Sequence, residues 1–364
     1  MVLVKTVTTA ESKLRHKPGT NPKTEPAPKL GTKPRNTVDT SAMTQARPKI
    51  LITGATGFIG QAVCQALIDT GFDVKVLLRD PSGLSKIPRS LGANTVLGAL
   101  DNESALAVAC HGCDQILHLA GMAHASKSYA KQTIATNLEG TVNLLAAAVK
   151  AKVKRLVFLS SSLAEAAASG KGDVTVYGQS KLAAEQLLLQ AAEQRQIEVV
   201  IVRSVNVYGP GMKGNIARMI GMIDKGRMPP LPEITNQISL VSAVDLAQAL
   251  LLALNTKQFC HSAITVTDGQ QYSIKEIEKS IYYNIGRSMA RWQTPAVVLY
   301  CAASVAGLIS RITGGSISRR TYRNLTCNNL FSNDKAISEL GFEPSTTFYD
   351  CLPEIISTIR AKED

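Results

Sequence analysis

No apolar segment of the kind a secretory signal needs stands near the start of this chain, no second cysteine pair accompanies its one C-x-x-C, and no internal repeat runs through it. With seven cysteines in 364 residues, the first absence argues for reduced thiols in a cytoplasmic setting and against a disulfide framework. The second leaves Cys110-His-Gly-Cys113, which directly precedes an apolar run, as a helix end and turn rather than a zinc site, so no metal is expected. Acidic residues are also scarce at the start. Between Met1 and Lys49, ten Lys or Arg face three acidic residues, which is +7 of the formal +12 and leaves +5 for the rest.

Six of the fifteen prolines fall between Pro18 and Pro48, with almost no apolar periodicity around them. Residues 1–47 are therefore expected to be a disordered basic tail, a solvated extension with no nucleic-acid partner. The prolines also interrupt any continuous amphipathic transit helix. Met43, six residues before the first apolar run, is a candidate translation start.

Long hydrophobic runs are nearly absent too. Nineteen uncharged residues lie between Arg291 and Arg311, nominally a membrane-spanning length. Their many Ala, Ser, Thr and Gln make the stretch only weakly hydrophobic, so residues 292–310 are expected to form a buried helix. An interfacial helix is the alternative, which leaves peripheral membrane contact and membrane association open.

What is present is a large apolar fraction, 45%, enough to bury a sizeable core in one enzyme-like unit or two coupled domains. The stretch Lys49-Ile-Leu-Ile-Thr-Gly-Ala-Thr-Gly-Phe-Ile-Gly60 reads as strand, glycine turn and helix. Gly54 suits a tight turn, Gly57 lets backbone approach a pyrophosphate, and Gly60 lets helix pack on strand. A helix N-terminus then faces the bound anion.

Strand and helix patterns alternate from there. Strands are expected at 73–78, 94–97, 115–121, 155–159 and 198–202, and helices at 58–70, 102–109, 133–150, 176–195 and 244–254. The rhythm implies an α/β fold, a Rossmann-type doubly wound parallel sheet with a smaller α+β C-terminal substrate-binding cap. The NAD(P)-binding domain is expected over 48–205 and the cap mainly over 206–364, with 243–258 returning to the first domain. Tyr177 and Lys181, spaced i and i+4, share one helix face. A nearby ammonium favours tyrosinate, so the pair suits proton exchange with a substrate hydroxyl or ketone.

These features together resemble the extended short-chain dehydrogenase/reductase superfamily, in its NAD-dependent epimerase/dehydratase group, from about Pro48 to Ile359. The resemblance rests on Thr53-Gly-Ala-Thr-Gly-Phe-Ile-Gly60, His118-Leu-Ala-Gly121, Asn137-Leu-Glu-Gly-Thr141, Phe158-Leu-Ser-Ser161, Tyr177 with Lys181, and Val207-Tyr-Gly-Pro-Gly211. Met212-Lys-Gly-Asn215, Ile238-Ser-Leu-Val-Ser242, Val266-Thr-Asp-Gly269 and Leu340-Gly-Phe-Glu-Pro344 look most like bacterial nucleotide-sugar 4-ketoreductases and 4-epimerases of surface polysaccharide biosynthesis. The resemblance implies Tyr177 as acid/base, Lys181 as the residue that tunes it and binds the cofactor ribose, and Ser161, with Ser162 as alternative, against the substrate oxygen. Gly54, Thr56, Gly57, Phe58, Ile59 and Gly60 would hold the cofactor, Ala120 and Gly121 would line the nicotinamide, and Asn137 would brace the strand ends. Asn206 would approach a substrate diphosphate, and Asn215 would also contact substrate.

Departures from the family pattern matter as much. Arg79 follows the second strand where an acidic residue often stands, which favours NADP over NAD because guanidinium accommodates a 2′-phosphate. Ala99 replaces an adenine-facing Asp, and Ile238 replaces a diphosphate-gripping Arg, so that either Lys213, Arg218 or Arg291 substitutes or the substrate differs. Only fifteen residues separate Ser161 from Tyr177, which suggests a trimmed loop beside the sugar. The expected activity is reduction of the C4 ketone of a UDP-4-keto-6-deoxy-N-acetylhexosamine, with 4-epimerisation as the alternative. A ketone or hydroxysteroid dehydrogenase and a non-catalytic NADP-binding regulator stay behind these, and a homodimer stays open.

Overall fold

Runs such as Ile50-Leu-Ile52 and Val199-Val-Ile-Val202 carry apolar side chains on both faces of a strand and so need cover on both. The computed structural model describes residues 47–123, 127–170, 174–232, 236–257, 262–290, 292–295 and 328–362. In chain order it contains β1 (Lys49–Thr53), α1 (Phe58–Asp69), β2 (Asp73–Leu78), β3 (Thr95–Leu97), α2 (Glu103–Cys110), β4 (Gln115–His118), α3 (Ala130–Ile134) and α4 (Gly140–Lys150). There follow β5 (Arg155–Ser161), α5 (Ser162–Ser169), α6 (Val176–Glu193), β6 (Glu198–Ser204), β7 (Asn206–Tyr208), α7 (Asn215–Asp224), β8 (Gln237–Ser242) and α8 (Ala243–Asn255). The chain continues with β9 (Ile264–Val266), β10 (Gln271–Ser273), α9 (Ile274–Ile285), α10 (Asp334–Leu340) and α11 (Phe348–Arg360). The basic tail up to residue 46 and most of the 292–310 stretch lie outside the described residues.

Seven strands form one parallel sheet in the order β3-β2-β1-β4-β5-β6-β9. Side-chain alternation splits its cover in two. Ile50, Ile52 and Val202 pack with Val63 and Leu67 of α1 and with Leu246 and Leu250 of α8. Leu51, Leu156 and Ile201 face the other way, onto Leu106 of α2, Leu144 of α4 and Leu188 of α6. Strand order reverses between β1 and β4, and register sets Thr53 beside His118 and His118 beside Phe158. The carboxyl ends of β1 and β4 are therefore level, β5 runs three residues beyond them to Ser161, and this edge is where ligands bind in such sheets.

A second, smaller sheet, β10-β8-β7, has its own core. Tyr208, Leu240 and Tyr272 pack with Ile220 of α7, Ile277 of α9 and Leu352 of α11. Among the described residues, no helix is long and apolar enough to cross a membrane.

Three local expectations differ from the structure. β4 stops at His118, so 119–121 is strand-end loop rather than strand. The helix expected from Thr133 starts at Ala130 and contains a π-helical turn over Ala135–Glu139. The expected trimmed loop after Ser161 is instead helix α5: the Ser161 hydroxyl accepts from the Leu163 N–H at 3.3 Å as N-cap, and Gly170 ends the helix at φ 64°. An Ala-rich run between a serine cap and a left-handed glycine is enough for two helical turns.

Candidate active site

The glycine turn divides its labour by space. Gly54 has φ 79°, and a Cβ there would come 2.5 Å from the Ala120 nitrogen, so only glycine lets β1 turn against the end of β4. A Cβ at Gly60 would come 2.1 Å from the Gly54 carbonyl oxygen, so this glycine brings α1 under the turn. Gly57 is different. It is the N-cap residue at φ −73°, and a Cβ there would meet only the Gly54 oxygen, at 3.3 Å. That open side, next to a helix N-terminus with no side-chain cap, suits the pyrophosphate of a dinucleotide. Thr56 lies at the turn beside Gly83, Ile59 packs on the sheet core, and the Phe58 side chain packs into the second core, near Gly209.

Helix α6 delivers the Tyr and Lys because Thr175 caps it, its hydroxyl accepting from the Gly178 N–H at 2.8 Å. The half-buried Tyr177 phenol faces the Ser161 side chain, which favours its ionised form. Lys181, 2% exposed, donates from Nζ to the Leu159 carbonyl at 2.8 Å and stands 4.3 Å from the Phe158 ring centroid. Ser162, also buried, opens α5 beside them.

The expected lowering of the tyrosine pKa does not hold in the folded chain. Burial pushes the Tyr177 phenol above its ordinary value, and Ser161 only partly offsets this. Burial also holds Lys181 down to about 7, against an upward pull from Glu185. An ammonium so easily discharged, and directed at a carbonyl, is a weak stabiliser of tyrosinate.

The loop that ends β4 is tied at one end to β1 through Thr53 and at the other to the π-helical turn through Asn137. Asn137, buried, accepts from the Met122 N–H at 2.7 Å and donates to the Met122 carbonyl at 3.2 Å and to Ser180 Oγ at 2.9 Å. Thr141 Oγ1 donates to the Asn137 carbonyl at 2.7 Å, which commits its one proton. It must therefore accept from His118 Nε2, 3.0 Å away, which assigns the ring as the Nε2–H tautomer. His118 Nδ1 then accepts from Thr53 Oγ1 at 2.7 Å, and Thr53 in turn accepts from the Ala120 N–H at 3.3 Å. Burial, with Lys181 nearby, holds the His118 pKa down to about 3, so the ring stays neutral. The result is a fixed loop: a Cβ on Gly121 would stand 3.2 Å from Lys181 Nζ and 3.3 Å from Asn137 Oδ1.

The remaining expected residues lie at the rim. Arg79 is exposed at the end of β2, and the carboxylate of its neighbour Asp80 accepts from the Ser82 N–H at 2.8 Å. Asn206 and Asn215 are exposed, at the starts of β7 and α7. Ile238 is buried in the second core opposite Tyr272, so this position carries no charge. Of the expected substitutes, Lys213 and Arg218 are exposed and Arg291 lies outside the described residues. Gly98-Ala99-Leu100 is held by its backbone: the Gly98 N–H donates to Leu78 at 2.8 Å and the Leu100 carbonyl accepts from Asn143 at 3.0 Å.

Sequence reasoning missed Thr53, Thr141, Ser160, Glu185 and Arg203. Glu185 accepts from Ser160 Oγ at 2.5 Å and from Arg203 at 2.9 and 2.6 Å, and it is 2% exposed. The available signal was Glu185 itself, a carboxylate that continues the i, i+4 row of Tyr177 and Lys181.

Comparisons with known proteins bear on the family and the fold. A UDP-glucose 4-epimerase from Vibrio cholerae is 27% identical over 291 residues, covering 73% of this chain and 85% of that protein. A 3-beta-hydroxysteroid dehydrogenase from Mycolicibacterium neoaurum is 24% identical over 336 residues, covering 84% and 90%. The solved UDP-glucose 4-epimerase with UDP-glucose from Thermotoga maritima superposes with a TM-score of 0.69 at 21% identity, over 87% of this chain and 100% of that one, which speaks to the fold. The model of the NAD dependent epimerase/dehydratase family matches residues 50–266. The chain belongs to that family and is an NAD(P)-dependent enzyme of the extended short-chain dehydrogenase/reductase superfamily.

Proposed function

We propose that the chain reduces the C4 ketone of a UDP-4-keto-6-deoxy-N-acetylhexosamine with NADPH, as a step in surface polysaccharide biosynthesis. The observation that carries this reading is the placement of the Tyr177 phenol against Ser161 at the carboxyl end of β5, one helical turn from Lys181. When bound, NADPH supplies the hydride for C4. Tyr177 gives its phenolic proton to the ketone oxygen, so the ketone gains one hydride and one proton and leaves as an alcohol. A phenol that burial keeps protonated suits this direction. Ser161 donates to the oxygen on which charge develops, and Lys181 holds ribose hydroxyls.

Arg79 supports NADP, since Asp80, the acid beside it, is committed to capping its own turn. In this reading residues 48–205 and 243–258 serve the cofactor. The rest of 206–364 serves the sugar nucleotide, with Asn206 reaching its diphosphate and Asn215 contacting the substrate. A 4-epimerase is the second reading, favoured by the similarity to the Vibrio cholerae enzyme.

Purified protein is incubated with NADPH and UDP-4-keto-6-deoxy-N-acetylglucosamine, and separately with UDP-glucose, UDP-N-acetylglucosamine and a 3β-hydroxysteroid. Loss of NADPH absorbance with the keto sugar supports reduction. Inversion at C4 without net redox replaces it with epimerisation, and turnover of the steroid alone overturns the sugar assignment.

A further inference from the structure

Three consecutive residues of β5 grip three residues of α6 that follow one another by four. Ser161 meets Tyr177, the Leu159 carbonyl accepts from Lys181, and Ser160 donates to Glu185. The third contact has a backing that the other two lack. Arg203 on β6 binds the Glu185 carboxylate through two nitrogens and reaches Glu165 of α5 at 3.4 Å. One buried carboxylate thus joins the elements that carry Ser161, Tyr177 and Lys181.

A buried ion pair is a poor device for stability alone, because desolvation consumes much of the Coulombic gain. Its placement points to another role. The groups with charge or titration around Lys181 are Tyr177 and Glu185 on its own helix and His118 on β4, with Arg203 and Glu165 beyond Glu185. His118 is neutral, so Glu185 is the nearby negative charge that favours the ammonium.

We propose that Glu185 is a positioning residue for the reaction: it fixes the register of α6 against β5 and supplies the charge that keeps Lys181 an ammonium next to the cofactor ribose. This rests on the reading of Tyr177 and Lys181 as the catalytic pair. Arg203 holds the carboxylate in place, and Glu165 keeps Arg203 paired from its far side.

The test reads Lys181 directly. In full-length protein labelled with [ε-13C]lysine, the Lys181 signal is assigned by its absence in Lys181→Arg, and its titration midpoint is followed in wild type and Glu185→Gln. The midpoint is expected to fall by about one pH unit or more, a tenfold change in proton affinity, as removal of an adjacent opposite charge gives. A residue that only holds the fold together would leave it in place, so an unchanged midpoint in folded Glu185→Gln overturns the proposal. If the Gln variant does not fold, Glu185→Asp decides, because it draws the carboxylate back by one methylene. A smaller fall in the same direction supports the proposal and no fall overturns it. Tyr177→Phe is assayed alongside with NADPH and the keto sugar. Full turnover there defeats the catalytic reading, whereas lost turnover with an unmoved Lys181 midpoint defeats the role of Glu185 alone.

Discussion

The Tyr177 phenol of α6 faces the Ser161 side chain at the end of β5, close enough for Ser161 to favour the ionised phenol against burial. A Cβ on Gly178 would meet the Leu163 carbonyl oxygen at 2.4 Å, so the bare glycine is what allows α6 so close to the start of α5. Tyr177→Phe removes the proton donor and keeps the ring. Turnover of the keto sugar is expected to fall by about 100-fold or more, the range for loss of a positioned acid. The KM for NADPH should stay within about twofold, since the phenol is not assigned to cofactor binding. Steady-state kinetics of the purified variant check both.

Gly57 and Gly60 should separate binding from folding. Gly57→Ala adds a methyl group to the open side of the turn at an ordinary φ, so the protein should melt within a few degrees of wild type. NADPH affinity should nevertheless fall by roughly tenfold or more, because the methyl occupies the approach to the pyrophosphate. Gly60→Ala drives its methyl into the Gly54 carbonyl and should cost about 1–3 kcal/mol of stability. Thermal melts and NADPH fluorescence titrations distinguish them, and equal behaviour of the two variants would refute the division of roles.

Arg79→Glu should reverse cofactor preference. The guanidinium is exposed at the end of β2, and a carboxylate there would repel a 2′-phosphate while accepting from a ribose hydroxyl. Binding of NADPH is expected to weaken by roughly tenfold or more and binding of NADH to hold or improve, measured by fluorescence titration of each. An unchanged ratio would remove Arg79 from the site.

The parts of this architecture that depend on one-dimensional pattern were legible in the sequence. β1 and β6 are buried on both faces and read as continuous apolar runs, and the glycines at 57 and 60 answer to the Gly54 carbonyl a few residues away, whereas Gly54 itself answers to the distant end of β4 at Ala120. The Tyr177 and Lys181 spacing was legible too, but the charge state of the pair was not. That depends on burial and on groups such as His118, which stands 63 positions from Lys181 in the sequence yet beside it in the fold. Ser160, Glu185 and Arg203 were hidden for the same reason: each is unremarkable alone, and only the register of β5, β6 and α6 makes them partners. Helix α5 was missed because its stop, Gly170, and its cap, Ser161, read equally well as loop residues.

Stability should respond to pH through Lys181. The folded lysine releases its proton near 7, the free one at 10.5, so between those values the unfolded chain binds more protons than the folded one. Stability therefore rises with pH across this window by the linkage relation, and Lys181→Met should abolish that part of the rise. Urea unfolding of wild type and variant at pH 7 and 9 gives the comparison, with the other titrating groups common to both.

His118 should govern the acid side. Its folded pKa of about 3 lies below the model-peptide value of 6.5, so the neutral ring's stabilisation is full above 6.5 and is lost as pH falls toward 3. The tautomer assignment makes a sharper demand. Thr141→Val leaves the His118 Nε2–H without its acceptor in a fully buried position, which should cost about 1–3 kcal/mol. It also releases the Asn137 carbonyl from Thr141, which loosens the π-helical turn whose Asn137 holds Met122. Weaker NADPH binding is expected to accompany the lost stability, measured by fluorescence titration and urea unfolding on the same preparation. Thr141→Ser, which keeps the hydroxyl, should restore both. A Thr141→Val protein as stable as wild type would mean that the ring is not held as the Nε2–H tautomer.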